Sequence, residues 1–165
     1  MSENSKLRER LAANARRVKR VAAANYMSGF GPLLAGICDR FAIHWGDEVE
    51  VELWTWIQAH MPIGGPYVDQ RAYTDGPEGD LPVVLADLVT RHGLSGWFDI
   101  VSGLGARDLA ISVEADAIAL VVPHLRAHAE GGFDDTVIVG RARTFALMVH
   151  HEGTVDVWTL AAANP

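Results

Sequence analysis

Two histidines, His124 and His128, stand four residues apart in a segment whose apolar spacing predicts a helix. Both imidazoles would project from one face of that helix, and two neutral imidazoles at this spacing can bind a zinc ion. A zinc site needs at least one more ligand. The candidates that folding could bring to it are His150, His151, Glu152 and Glu114. The alternative is that His124 and His128 lie on the solvated side of the helix near its C-terminus, where the helix dipole favours them.

The other residues that could do chemistry form no recognised motif. The sequence has no Walker A loop and no GxGxxG, GxSxG, HExxH or EF-hand pattern. Cys38 is the only cysteine, and its spacing from His44 separates the two side chains on a helix, so we expect a small buried hydrophobe rather than a nucleophile. The carboxylates between residues 69 and 80 lack a calcium-ligand spacing. The sequence therefore predicts no cofactor and favours a protein that is not an enzyme.

A predicted strand over residues 48–57 carries a face that combines tryptophans with glutamates. The residues that alternation places on this face are Glu48, Glu50, Glu52, Trp54 and Trp56. Exposed tryptophans beside charges are typical anchors of a protein interface or a ligand pocket, so we predict that these residues bind a partner. The alternative is that helices cover this face and that the indole rings belong to the core.

Charge is divided unevenly along the chain. Residues 1–20 contain seven of the fourteen basic residues and two acidic ones, a formal charge of +5. The other 145 residues contain seven basic and nineteen acidic residues, a formal charge of −12. Because an acidic body repels nucleic-acid phosphates, this distribution disfavours DNA or RNA binding outside the first segment. It favours a basic protein as the partner.

Residues 5–26 are predicted to form a helix, within a basic amphipathic N-terminal segment that covers residues 1–27. Six residues follow a spacing of four and three: Leu7, Leu11, Asn14, Val18, Val21 and Asn25. This row could pair with the same helix of another subunit, with Asn14 setting the register. Alternatively, the helix could pack on the acidic body of its own chain. We favour these two roles over contact with phosphates or membranes. The basic residues that could instead contact phosphates or an anionic membrane surface are Arg8, Arg16, Lys19 and Arg20.

The middle of the chain predicts a mixture of elements. A second helix is predicted to begin at Pro32 and to run to about Trp45. A long loop over residues 61–82 precedes a short helix near residues 82–92, which Gly93 ends. Residues 97–101 indicate a short buried strand or turn.

The last third of the chain is predicted to be mainly β. A helix is predicted from Ser112 to about Ala129 with a kink at Pro123; the alternative is that residues 109–122 are extended and that a short helix begins at Pro123. Three strands follow, with a tight turn at Glu152-Gly153: 136–139, 143–150 and 154–160. The predicted class is α+β, with an antiparallel sheet of about four strands, one after two N-terminal helices and three as a C-terminal meander, packed by helices on one face.

Length and composition predict one domain over residues 1–165 with no membrane span. A single cysteine fits the cytoplasm. The predicted function is a non-catalytic interaction protein of the inhibitor, immunity or adaptor type, whose acidic surface binds a basic protein partner. One alternative is nucleic-acid contact through the basic N-terminal helix. Another is a small-molecule-binding domain or enzyme with a pocket lined by Trp45, Trp54, Trp56 and Trp97.

Overall fold

The computed structural model describes residues 3–45, 56–57, 59–61, 67–102, 109–127 and 135–159, and an antiparallel sheet lies at its centre. The strands are β1 (Phe41–Trp45), β2 (Asp69–Ala72), β3 (Trp97–Ser102), β4 (Leu109–Glu114), β5 (Thr136–Gly140), β6 (Phe145–Val149) and β7 (Thr154–Thr159). Their order across the sheet is β1-β4-β3-β5-β6-β7-β2. The predicted α+β class with an antiparallel sheet is confirmed, but the described residues form seven strands rather than about four.

Three helices with described bounds accompany the sheet: α1 (Glu3–Ala35), α2 (Leu81–Arg91) and α3 (Ile118–Ala127), the last preceded by a 3₁₀ turn at Ala115–Ala117. Trp56 and Ile57 are also helical, so the end of the strand predicted over residues 48–57 is wrong. The rest of that strand, together with Gly46 and Asp47, lies outside the described residues. Within the described ranges, none of the helices combines the length and the apolar character that crossing a bilayer requires.

A single helix, α1, takes the place of the first predicted helix and the start of the second. It continues through Gly29 and Gly31, which are predicted to end the first helix, and through Pro32, which is predicted to begin the second. A glycine costs a helix only about 1 kcal/mol relative to alanine, and helix propagation along the alanine- and arginine-rich segment before it offsets a cost of this size. The break predicted between residue 26 and Pro32 is therefore wrong.

The end of the predicted second helix is instead the edge strand β1. Phe41 pairs with Val113 of β4, and Trp45 pairs with Leu109. The neighbouring strand supplies the hydrogen bonds of this backbone, so tertiary pairing outweighs the local helical pattern.

The helix that is predicted to begin at Ser112 is wrong, because Ser112 lies in strand β4. Residues Leu109–Glu114 pair with β1 on one side and with β3 on the other, and Ser112 is fully buried in the strand instead of capping a helix. The alternative of an extended segment over residues 109–122 is right as far as Glu114, because α3 begins at Ile118 and includes Pro123. A central strand that is buried on both faces reads as a continuous apolar run, which periodicity does not separate from a buried helix.

Predictions for α2, β3 and the C-terminal meander are confirmed. Helix α2 is followed by Gly93 at a φ of 59°, a conformation that glycine adopts without strain. Strands β5, β6 and β7 pair in sequence order, and Gly153 has a φ of 89° in the turn between the last two. The long predicted loop contains β2, which adds to the free side of β7.

Both faces of the sheet bury apolar side chains. On one face, α2 and α3 cover alternate residues of the strands, with Leu85 of α2, Leu125 of α3 and Ile138 of β5 all inaccessible to solvent. On the opposite face, Val101, Val139 and Trp158 pack with other residues: Ile57, Met61, Ala110, Val137 and Ala146. Helices α2 and α3 therefore lie on one face, whereas the helical residue Ile57 packs in a second, smaller core on the other face, so the prediction that helices pack on one face only is not confirmed.

A polar clamp ties β2 to the end of α2. The carboxylate of Asp69 lies 3.2 Å from His92 Nε2 and 3.2 Å from Arg71 Nε. Burial alone would raise the pKa of Asp69, but the His92 hydrogen bond and the Arg71 charge outweigh it and hold that pKa below 3.8. The clamp thus favours the ionised carboxylate, and its contribution to stability is present above about pH 4 and is lost as the pH falls below that value.

Candidate functional site

Most of the predicted partner-binding face lies outside the described residues. Glu48, Glu50, Glu52 and Trp54 are not described, whereas Trp56 is half-buried. The Trp56 ring stacks on His60 with a centroid separation of 4.7 Å, and the Arg143 guanidinium lies 5.1 Å from the indole centroid. Trp56 also packs against the smaller core, so this indole belongs in part to the fold itself.

Only one of the two histidines predicted to bind zinc lies within the described residues. His124 is half-buried in the last turn of α3, while His128 lies outside the described residues. The further candidate ligands do not lie together: Glu114 forms an ion pair with Arg40, and the other three are in the turn between β6 and β7. That turn brings His150, His151 and Glu152 to a different carboxylate.

We define the histidine–carboxylate cluster as Asp135, His150, His151, Glu152 and Asp156. Strand pairing builds it: Thr136 of β5 is opposite Val149 of β6, so Asp135 comes beside His150. Asp156 lies on β7, and the turn that joins β6 to β7 is closed by the hydrogen bond from the His150 amide to the Thr154 carbonyl at 2.8 Å.

The distances within the cluster give each side chain a distinct role. His150 Nε2 lies 2.9 Å from Asp156 Oδ2, and His150 Nδ1 lies 3.8 Å from Asp135 Oδ2. The other oxygen of Asp135, Oδ1, lies 3.0 Å from both the backbone nitrogen and the ring Nδ1 of His151. Glu152 approaches His151 Nε2 at 3.5 Å. Suitable donor atoms of Asp135, His150 and Glu152 all lie within 4.8 Å of one another.

Electrostatics favour the ionised form of Asp135. Burial alone would raise its pKa, but the two hydrogen bonds from His151 and the charges of His150 and His151 together hold the pKa of Asp135 below 3.8. Asp156 is buried, and Gln70 Nε2 donates a hydrogen bond to its Oδ1 at 2.7 Å. The cluster thus presents a carboxylate and an oriented imidazole at the surface of the sheet.

The sequence carries a partial signal for this cluster. His150, His151 and Glu152 are consecutive beside a predicted turn, a position from which side chains reach a common point. Asp135 and Asp156 have no such signal, because only the register of β5, β6 and β7 brings them to the histidines. Sequence reasoning therefore named three of the five residues, but as possible further ligands for His124 and His128 rather than as neighbours of Asp135 and Asp156.

A second feature is a cleft of about 330 Å³ where α1 ends and the 3₁₀ turn begins, which we call the acidic cleft. Its charged lining residues are Asp39, Arg40, Glu114 and Asp116. Arg40 bonds Glu114 at 2.8 Å, and both Asp39 and Asp116 are exposed. Cys38 is buried beside them, as predicted, and its thiol donates to the Arg40 carbonyl at 3.1 Å. The cleft is therefore open to solvent with an excess of negative charge.

Ion pairs account for most of the positive charge on the described body after α1. Six arginines are described after α1, and five of them form an ion pair with a carboxylate: Arg40, Arg71, Arg91, Arg126 and Arg141. The same part of the chain contains twelve carboxylates. Because the arginine charge is compensated locally, the field at the surface comes mainly from the remaining carboxylates.

Comparisons with known proteins assign no family. No family model, no curated protein and no solved structure matches this chain. The contacts and charges described above are therefore the basis for a functional proposal.

Proposed function

We propose that this chain is a non-catalytic interaction protein whose acidic body binds a basic protein partner, as an inhibitor, immunity or adaptor protein does. The observation that carries the proposal is the acidic cleft, where Asp39 and Asp116 are exposed and the one arginine is already paired with Glu114. A lysine or arginine side chain of a partner would meet carboxylates there, and charge-assisted hydrogen bonds to such groups are among the stronger polar contacts.

The size of the cleft fits this role. Its volume of about 330 Å³ is at the small end of ligand-binding clefts and admits an arginine or lysine side chain rather than a large cofactor. The charge of −12 over residues 21–165 would also accelerate association with a basic surface and make it sensitive to salt. Both properties support recognition by charge, with the cleft as the point where one basic side chain is anchored.

Neutralising the cleft is expected to weaken partner binding at least about 10-fold, which corresponds to about 1.4 kcal/mol. The variant is Asp39→Asn with Asp116→Asn, and the measurement is affinity capture with the full chain followed by titration of the captured protein at two salt concentrations. The matched control, Glu78→Gln with Asp87→Asn, removes the same charge at exposed positions away from the cleft and is expected to keep most of the affinity. Equal binding by both double variants, or a captured partner that is not basic, would contradict the proposal.

A second contact surface is proposed on α1, which would pair with α1 of another copy of the chain. The row of apolar residues predicted for this helix is exposed, since Leu7, Leu11, Val18 and Val21 are each between 56% and 61% accessible. Leu34, near the end of the helix, is buried in the core and anchors α1 to the body. A spacing of four and three is the spacing of a coiled-coil seam.

Charge along α1 is compatible with a parallel pair. With Leu7, Asn14 and Val21 at one seam position and Leu11 and Val18 at the other, Arg10 would face Ala15 of the second copy rather than another arginine. Asn14 would sit within the seam, where a polar residue fixes register at some cost in stability. A second copy of this chain is therefore the occupant that we propose for this face.

A single charge in the seam is expected to prevent this pairing. The full chain should have twice its chain mass of 17.9 kDa in light scattering after size-exclusion chromatography, and Leu11→Glu should have the mass of one chain. Ala13→Glu places the same charge outside the row and should leave the mass doubled. A single-chain mass for the unaltered protein would refute the helix pair without affecting the proposal for the acidic cleft.

Other functions predicted from the sequence stay predictions. The two described indoles of the predicted tryptophan pocket have different neighbours: Trp97 is contacted by Arg40 and Arg141, and Trp56 is contacted by Arg143. Arg8 on α1 is exposed and could contact nucleic-acid phosphate, but the side chains of Arg16, Lys19 and Arg20 are not described. A location in the cytoplasm also remains a prediction.

A further inference from the structure

We propose that the histidine–carboxylate cluster binds one divalent transition-metal ion of the zinc class, with Asp135, His150 and Glu152 as its ligands. The site shares no residue with the acidic cleft, so the proposal is independent of partner binding there. It also differs from the pair His124 and His128, which the sequence indicates. Three observations support it: the separation of the donor atoms, the orientation of His150, and the different contacts made by the two oxygens of Asp135.

Donor separation is close to what zinc requires. In a tetrahedral site with bonds of about 2.0–2.1 Å, neighbouring ligand atoms are about 3.3 Å apart. His150 Nδ1 and Asp135 Oδ2 are 3.8 Å apart, and Asp135, His150 and Glu152 each offer one donor atom within 4.8 Å of the others. The Glu152 side chain is 69% accessible, so it can rotate toward the ion without disturbing packed residues. Small side-chain rotations would therefore complete the site.

The imidazole of His150 is oriented as a metal ligand. Its Nε2 lies 2.9 Å from Asp156 Oδ2, and a carboxylate at that distance accepts a hydrogen bond from Nε2–H, so the neutral ring carries its lone pair on Nδ1. Nδ1 is the nitrogen that faces Asp135. Asp156 is itself buried and held by Gln70, so it fixes the ring as the outer carboxylate does in carboxylate–histidine–zinc arrangements. A cluster made only of exposed carboxylates would lack this arrangement.

The two oxygens of Asp135 divide their contacts in a way that leaves one of them for a metal. Oδ1 is held by the backbone and the ring of His151, whereas Oδ2 is the oxygen nearer to His150 Nδ1. His151 would thus orient Asp135 from outside the coordination sphere. One imidazole and two carboxylates are nitrogen and oxygen donors that suit zinc, and their two negative charges balance its charge. The fourth position would be open to water or to a donor atom of a bound molecule.

The test is a calorimetric titration of zinc chloride into the metal-free full chain, with any affinity tag removed. We expect one ion per chain and at least about a 10-fold loss of affinity in Glu152→Gln, whose exposed side chain makes a folding defect a poor explanation for the loss. His150→Ala should abolish binding, and Asp156→Asn should weaken it about 10- to 100-fold through the orientation of His150.

Two control variants separate this site from other sources of binding. Glu78→Gln removes an exposed carboxylate outside the cluster, and His124→Ala removes the histidine of the predicted helical pair; both should bind zinc with unchanged affinity. Absence of heat up to about 1 mM zinc, which limits the binding energy to about 4 kcal/mol, would overturn the proposal. Binding that survives in Glu152→Gln and His150→Ala, or that is lost in His124→Ala, would also overturn it.

Discussion

Replacing Arg126 with methionine is expected to lower the free energy of unfolding by about 2–3 kcal/mol. The Arg126 side chain on α3 is only 4% exposed and forms an ion pair with Asp75 at 2.8 Å. Methionine keeps the length and apolar character of the side chain but removes the charge, so Asp75 loses its partner while its environment stays partly buried. Because a third of Asp75 is in contact with water, the cost falls below the values seen for fully buried pairs.

Tyr73 adds to this cost, because Arg126 also bonds its hydroxyl. Arg126 Nη2 donates to the Tyr73 hydroxyl oxygen at 2.8 Å, and that hydroxyl donates to the His150 carbonyl at 2.6 Å. Burial raises the pKa of Tyr73 above 10.0, whereas the Arg126 charge opposes the rise. The neutral hydroxyl therefore stabilises the fold below about pH 10, and this contribution is lost as the pH rises through the folded-state pKa. Without Arg126, Tyr73 should ionise at a still higher pH, which absorbance near 295 nm would follow.

The matched control for Arg126 is Arg91→Met. Arg91 bonds Asp87 at 2.9 Å one turn away on α2, with both side chains about half exposed. An exposed pair of this kind is worth only about 0.3–0.5 kcal/mol, so urea unfolding should hardly distinguish this variant from the unaltered chain. If the two variants lost the same unfolding free energy, the buried Arg126–Asp75 pair would stabilise the fold no more than an exposed pair does, which would contradict the prediction.

Local signals were sufficient where an element is amphipathic and ends at a turn residue. Helix α2 has buried residues at spacings of four and three, and Gly93 follows it, so its type and its end could be predicted. The last two strands were predictable for a similar reason, because Gly153 marks the turn between an apolar run and a run rich in valine and threonine.

Local signals failed where pairing across the sheet decides the structure. Residues Phe41–Trp45 and Leu109–Glu114 are consistent with helices when read alone, yet they pair with each other as β1 and β4. The paired residues are between 64 positions (Trp45 and Leu109) and 72 positions (Phe41 and Val113) apart in the sequence, and no window of local periodicity contains such a contact. The predicted number of strands was too low mainly for this reason.

The candidate sites also depend partly on local sequence signals and partly on pairing across the sheet. The apolar row of α1 was visible in the sequence, but the exposure of that row follows only from the way the helix leaves the body. The histidine–carboxylate cluster needed Asp135 and Asp156, which only the pairing of β5, β6 and β7 brings to His150. The acidic cleft joins residues 39–40 to residues 114–116, and the β1–β4 pair that creates this proximity was not predicted.

Leu85→Ala is expected to cost about 3 kcal/mol of unfolding free energy. Leu85 lies on the face of α2 that packs against the sheet and is fully buried in the larger core. Truncation to alanine removes three carbon atoms from a close-packed region that relaxes only in part, so the loss combines transfer and cavity terms. Urea unfolding followed by circular dichroism would measure it.

Val83→Ala on the same helix is the control, because Val83 is apolar but 69% exposed. Alanine has the higher helix propensity and little buried surface is lost, so the change should stay within about 0.5 kcal/mol. A large loss in Val83→Ala would mean that another surface covers this side of α2, and α2 would then be a contact site. A small loss in Leu85→Ala would mean that the helix layer is loosely packed on the sheet, and the sheet alone would then position both the acidic cleft and the histidine–carboxylate cluster.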